Sequence, residues 1–156
     1  MDKSLRQPGL DRKASRKVAF TKMEGAGNDY VYVDSITQPL PIDRAGELAK
    51  RWSDRHFGIG ADGFIRITKP DGKWFMDYSN SDGSIAEMCG NGIRCVAKYA
   101  YDNGLVDQRE IRIETGAGIL TLQLFPGVDG KISRVRVNMG KPALKRGDIP
   151  MIGTAG

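Results

Sequence analysis

Cys89 stands directly before Gly90-Asn91-Gly92, and from Ile93 onward apolar residues recur at helical spacing. That order puts a thiol at the mouth of a helix. A helix start presents backbone N–H groups without intrahelical acceptors and about half a positive charge, a setting that favours thiolate over thiol. The same donors can hold a carboxylate or another anion, and glycines let that anion come close to the backbone. Read as chemistry, the stretch joins a base or nucleophile to an anion holder. Read as packing, it is a small hydrophobe beside a glycine-rich turn, and spacing alone does not separate the two.

Other reactive side chains are few. Cys95 is no partner for Cys89, because six residues of helix amount to about 9 Å of rise and about 600° of turn, which sends the two thiols to different faces. A disulfide needs Cα atoms within about 7 Å, and redox pairs usually read C-x-x-C. Two cysteines without a matching histidine cluster also make a poor zinc site, so no metal site is expected. Cys95 is expected in the core, and the single histidine, His56, is expected to be structural or solvent-facing. Asn28, in "GAGNDY", and Asn80, in "YSNSDGS", each stand at the end of a strand-like run. Neutral amides accept from an ammonium and donate to a carboxylate, which suits a zwitterionic ligand, although turn chemistry is the simpler account of either residue alone.

The chain that must position these groups has 156 residues, of which 40% are hydrophobic and 28% charged. This describes a soluble globular domain with a proper core. No apolar run approaches the roughly 18 residues of a membrane span. "MDKSLRQPGLDRKASRK" lacks the apolar block of a secretory signal, and with only two cysteines a reducing cytoplasm is the expected location. The net charge of +5 is concentrated in residues 1–17, where six basic side chains face two acidic ones. This stretch is expected to be a disordered basic leader. The body shows no basic face interleaved with aromatics, so nucleic acid is not an expected partner.

After the leader the pattern turns β. "VAFTKM" (18–23) and "DYVYVD" (29–34) are strand-like and joined by the turn "EGAGN". Asp43 is placed to cap a helix carrying Ala45, Leu48, Ala49 and Trp52 on one stripe. "RHFGIGADG" (55–63) ends that helix, and "FIRIT" (64–68) and "KWFMDYS" (73–79) read as strands. Ile93, Val96, Ala97 and Ala100 form the stripe of a second helix, which Asn103-Gly104 stops. This helix is apolar off its main stripe too (Tyr99, Tyr101), so enclosure is expected. Alternation returns in "EIRIET" (110–115), in Leu120, Leu122 and Leu124, and in Val135 and Val137. About seven strands and two helices, with strands mostly adjacent in sequence, suggest an α+β fold with a curved mixed or antiparallel sheet packed on a helix.

Four collinear blocks, "FTKMEGAGNDYVYVD", "DRHFGIGADGFI", "YSNSDGSIAEMCGNGIRCVAKY" and "IETGAGILTL", resemble the N-terminal half of the diaminopimelate epimerase family. The resemblance covers residues 18–150, with 151–156 as the start of an inter-domain linker. It implies a cofactor-independent isomerase that interconverts LL- and meso-diaminopimelate on the way to lysine and peptidoglycan. It further implies two similar halves, each wrapping strands about a central apolar helix, with one cysteine from each half facing the substrate α-carbon. By this resemblance Cys89 is the catalytic thiol, Gly90 and Asn91 hold substrate, and Asn28 and Asn80 match two further substrate-contacting asparagines. Some members carry Gln where Gly63 stands, so that contact is not expected.

Members of the family run to nearly twice this length, and their second half supplies the other thiol and the strand that closes the first domain. The expectation is therefore the N-terminal catalytic half of an epimerase, with little activity by itself and with a homodimer or a complementary C-terminal half as the partner. The alternatives are another isomerase or racemase of the same superfamily, and a non-catalytic binding or assembly module that keeps the fold.

Overall fold

The computed structural model describes residues 17–40, 42–145 and 149. The expected leader, apart from Lys17, and the expected linker start lie outside the described residues. Two strands open the fold, β1 (Thr21–Gly25) and β2 (Asn28–Asp34), followed by helix α1 (Ala45–Ser53) and strands β3 (Gly63–Thr68), β4 (Trp74–Asn80) and the two-residue β5 (Ile85–Ala86). Helix α2 (Gly90–Asp102) then precedes β6 (Glu110–Thr115), β7 (Gly118–Pro126) and β8 (Ile132–Val137). One sheet contains all the strands in the order β1-β2-β3-β4-β6-β7-β8, with β5 attached to β4.

Two of the pairings are parallel, β2 with β3 and β4 with β6; the others are antiparallel. A parallel pair needs a crossover to carry the chain back, and each crossover here carries a helix: α1 between β2 and β3, α2 between β4 and β6. The helices lie on opposite faces. In β2 the two-residue period sends Tyr30 and Tyr32 into one core with α2, and Val31 and Val33 into the other with α1. The sheet curls round α2 so far that both its edge strands, β1 and β8, pack on that helix. None of the thirteen residues of α2 is exposed. The curved sheet around a central enclosed helix is thus as expected, with seven strands on the main path and β5 as a short addition.

Several local expectations are corrected. β1 begins at Thr21, not Val18, and extends to Gly25. Its turn to β2 is the two-residue Ala26-Gly27, both with positive φ (55° and 87°), the twist that fits a tight hairpin. Asp43 does not cap α1. It lies in a 3-10 turn, Ile42–Arg44, and Arg44 occupies the N-cap without a side-chain hydrogen bond. At the far end the expected stop holds: Gly104 has φ 68° and donates to the Tyr101 carbonyl, while Asn103 donates to that of Tyr99. Arg66, in mid-strand, is buried opposite Asp77 in the β3–β4 register, 2.7 Å from its carboxylate, and also donates to the Leu40 carbonyl. Among the described residues no helix is long and apolar enough to cross a membrane.

Candidate active site

Cys89 is the N-cap of α2. Its backbone is extended (φ −134°, ψ 110°), its carbonyl accepts the first helical bond from Ile93, and its Sγ accepts from the Gly92 N–H at 3.2 Å. Sulfur thus fills the place that Ser, Asp or Asn usually takes at a helix start. The N–H groups of Gly90 and Asn91 point from the same end, where a helix offers no acceptors of its own. Gly92 fits a close approach: a Cβ there would sit 2.5 Å from Ile65 Cδ1 and 3.3 Å from the Cys89 sulfur, so one of these neighbours would have to shift.

A second contact to the sulfur comes from β2. The Tyr30 hydroxyl lies 3.1 Å from Cys89 Sγ, and the Tyr30 ring stacks edge-on against Tyr32 and Tyr78. Burial, and then the adjacent Cys89, push ionisation of the Tyr30 phenol far above its ordinary range. Burial likewise raises Tyr78, with the charge of Cys89 adding to the effect. The Tyr78 hydroxyl donates to Asn80 Oδ1, and Asn80 Nδ2 donates to Ser84 Oγ. Asn80 therefore serves the β4–β5 turn, and reaches the thiol region through Tyr78.

Asn28 and Asn91 meet directly. Asn91 Nδ2 donates to Asn28 Oδ1, and Asn28 Nδ2 donates to Asp62 Oδ2 at 3.3 Å. Asn91 Oδ1 accepts from Arg94, which also donates to the Gly90 carbonyl one turn back. On the other side Asp62 and Asp29 share the Arg55 guanidinium, at 2.8 and 2.7 Å, and Lys22 lies 3.0 Å from Asp29. Hydrogen bonding to Arg55, and then to Lys22, holds the Asp29 carboxyl well below the usual carboxylate range against the opposing effect of burial. Both amides are oriented by charged neighbours, and each has one Nδ2 hydrogen without a partner among the described residues. The edge where α2 starts is thus rich in donors, which suits an anion such as a carboxylate.

The structure therefore brings Cys89, Gly90, Asn91 and Asn28 to one place and sets Asn80 behind it. Cys95 is buried, its thiol donating to the Glu24 carbonyl at 3.4 Å and its ionisation raised chiefly by burial. His56 is exposed, and both cysteines are free. Tyr30, Tyr78, Asp62, Arg55 and Arg94 were not visible from the sequence as site residues. The available signal was a tyrosine at inward strand positions, since a buried phenol must find a hydrogen-bond partner. A groove of about 530 Å³ lined by Ser35, Ile36, Arg66, Thr68, Lys69, Pro70 and Phe75 contains none of the site residues.

A mixed sheet rolled about an enclosed helix is the class of fold to which this domain belongs. The same fold is found in the crystal structure of a probable proline racemase from Agrobacterium radiobacter K84, with a TM-score of 0.57 at 16% identity, covering 78% of this chain and 41% of that one. The family model described as diaminopimelate epimerase matches residues 20–145. The chain is 50% identical over 137 residues to diaminopimelate epimerase of Leptospira biflexa, covering 87% of this chain and 48% of that protein. It is 55% identical over 134 residues to the enzyme of the same name from Agathobacter rectalis, covering 85% and 46%. The chain belongs to the diaminopimelate epimerase family. It spans about half the length of the curated relatives it matches.

Proposed function

We propose that this chain carries one catalytic half of a diaminopimelate epimerase and that Cys89 transfers the α-proton on one face of the substrate. The observation that carries this reading is the Cys89 sulfur at the start of α2, where a helix leaves its first N–H groups without intrahelical acceptors. As thiolate, Cys89 removes the α-hydrogen; the C–H bonding electrons pass to the α-carbon and delocalise into the substrate carboxylate. Donors fixed at the helix start stabilise that developing charge without rearranging. In the reverse sense the Cys89 thiol returns a proton to the same face. Asn28 and Asn91 hold the substrate through their free amide hydrogens, and Asn80 contributes from the β4–β5 turn.

Inversion at one carbon needs a second group on the opposite face, within hydrogen-bond reach. Cys95 does not serve, because its thiol is turned to Glu24 in the core. We assign the second thiol to a complementary half, with a homodimer as the other arrangement, and place the reaction in cytoplasmic lysine and peptidoglycan-precursor synthesis. Solvent deuterium incorporation at the α-carbon of diaminopimelate tests this. The chain alone should give little or no exchange, addition of a matching C-terminal half should restore it, and Cys89→Ala should then abolish it. Exchange that survives Cys89→Ala would overturn the assignment. Robust exchange by the chain alone that depends on Cys89 would point to a self-complementing dimer.

A further inference from the structure

Cys89 must serve as base in one direction and acid in the other, so a partner useful to it has to suit both sulfur and sulfur anion. The Gly92 N–H can only donate. The Tyr30 hydroxyl, 3.1 Å from Sγ, can do either. We propose that Tyr30 is a positioning residue for the Cys89 sulfur, its phenol donating to the thiolate and accepting from the thiol. This rests on the reading of Cys89 as the proton-transferring group.

Several observations converge on it. Tyr30 is only 3% exposed, and its hydroxyl bonds within the fold. Edge-on packing between Tyr32 at 6.3 Å and Tyr78 at 5.5 Å, measured between ring centroids, fixes the ring and with it the direction of the hydroxyl. Its register opposite Met23 on β1 and Gly63 on β3 places it between two strands of a continuous ladder. Burial makes the phenol hard to ionise, so it keeps its hydrogen while the sulfur gains and loses one. Proton balance is then simple. The substrate proton moves between the α-carbon and Sγ, and Tyr30 loses none; its hydroxyl only rotates between donating and accepting.

Tyr30→Phe keeps the ring and removes the hydroxyl. Alkylation of Cys89 by iodoacetamide at pH 7, followed by peptide mass analysis, should slow by about threefold to tenfold, as expected for a lost hydrogen bond to an anion partly offset by greater intrinsic nucleophilicity. Cys95 in the same sample reports on folding and should react at its wild-type rate. A Cys89 rate that is unchanged or faster, with the Cys95 rate unchanged, would overturn the proposal. The wild-type protein supplies a second readout that does not depend on the variant folding. The Cys89 S–H stretch, identified by difference from Cys89→Ser, should fall at the lowered frequency of a hydrogen-bonded thiol; the frequency of a free thiol would overturn the proposal. Neither measurement involves turnover. A Tyr30-dependent thiol in a protein whose α-carbon exchange survives Cys89→Ala would sink the catalytic reading and leave the Tyr30 contact standing.

Discussion

At the scale of single residues, the two thiols of this chain differ by environment and not by chemistry. Cys89 is half-buried at a helix start, whereas Cys95 is enclosed by the core and hard to ionise because of that burial. Cys89 should therefore be alkylated at least about tenfold faster than Cys95 at pH 7, measured by timed labelling and peptide mass analysis. Faster labelling of Cys95 would contradict the placement of both. Asp29 makes a separate point about charge. Its carboxyl is held below the ordinary range by Arg55 first and Lys22 second, so the folded protein resists the proton that the unfolded chain accepts. The associated stability is full above the unfolded carboxyl pKa of about 3.9 and is lost as pH falls towards the lower native value. Urea midpoints recorded from neutral pH down to about 2.5 should show the gap between wild type and Asp29→Asn narrowing with acid. A gap that widens would mean that the pairing has the opposite sign.

At the scale of elements, α2 and β3 are joined by a close approach at Gly92. Gly92→Ala would put its Cβ 2.5 Å from Ile65 Cδ1, and overpacking of this kind costs about 1–3 kcal/mol. Ile65→Val removes the offending carbon. The double variant should accordingly be more stable than the sum of the two single losses, by urea unfolding. Simple additivity would show that the crowding is relieved elsewhere. β3 and β4 are linked by a different device, the buried pair Arg66 and Asp77. Asp77→Ala leaves a guanidinium enclosed with, among the described residues, the Leu40 carbonyl as its remaining acceptor, and the expected loss is about 3–5 kcal/mol. A melting temperature close to wild type would mean that Arg66 swings out to water.

At the scale of the molecule, the candidate site at the start of α2 is assembled from distant parts of the chain. Tyr30 and Cys89 are 59 residues apart, and Asn28 and Asn91 are 63 apart. They meet because β2 runs beside β3 in the curled sheet and the sheet encloses α2, so the start of the helix emerges next to the start of β2. The ionic group of Lys22, Asp29, Arg55 and Asp62 ties β1, β2, the segment after α1 and the start of β3 together on the same side. The site is thus a consequence of how the sheet closes, and the sheet closes around the helix that carries the thiol.

Much of this is legible in the amino-acid sequence. The two-residue alternation of "DYVYVD" and "EIRIET" and the stripe of Ile93, Val96, Ala97 and Ala100 specify β2, β6 and α2 from local sterics and burial alone. Cys89 before Gly90-Asn91-Gly92 marks a helix start for the same reason, and the collinear blocks carry the family. Asp43 misled because a capping side chain is only an offer, and here the chain enters α1 through a 3-10 turn. The rings of Tyr30 and Tyr78 lie in the core. Their hydroxyls acquire meaning only when β2, β4 and α2 are packed, because a hydrogen bond across some sixty residues depends on the closure of the sheet and has no counterpart in the local spacing of residues. Local order set the elements and the place of the thiol; tertiary packing alone decided which groups surround the sulfur.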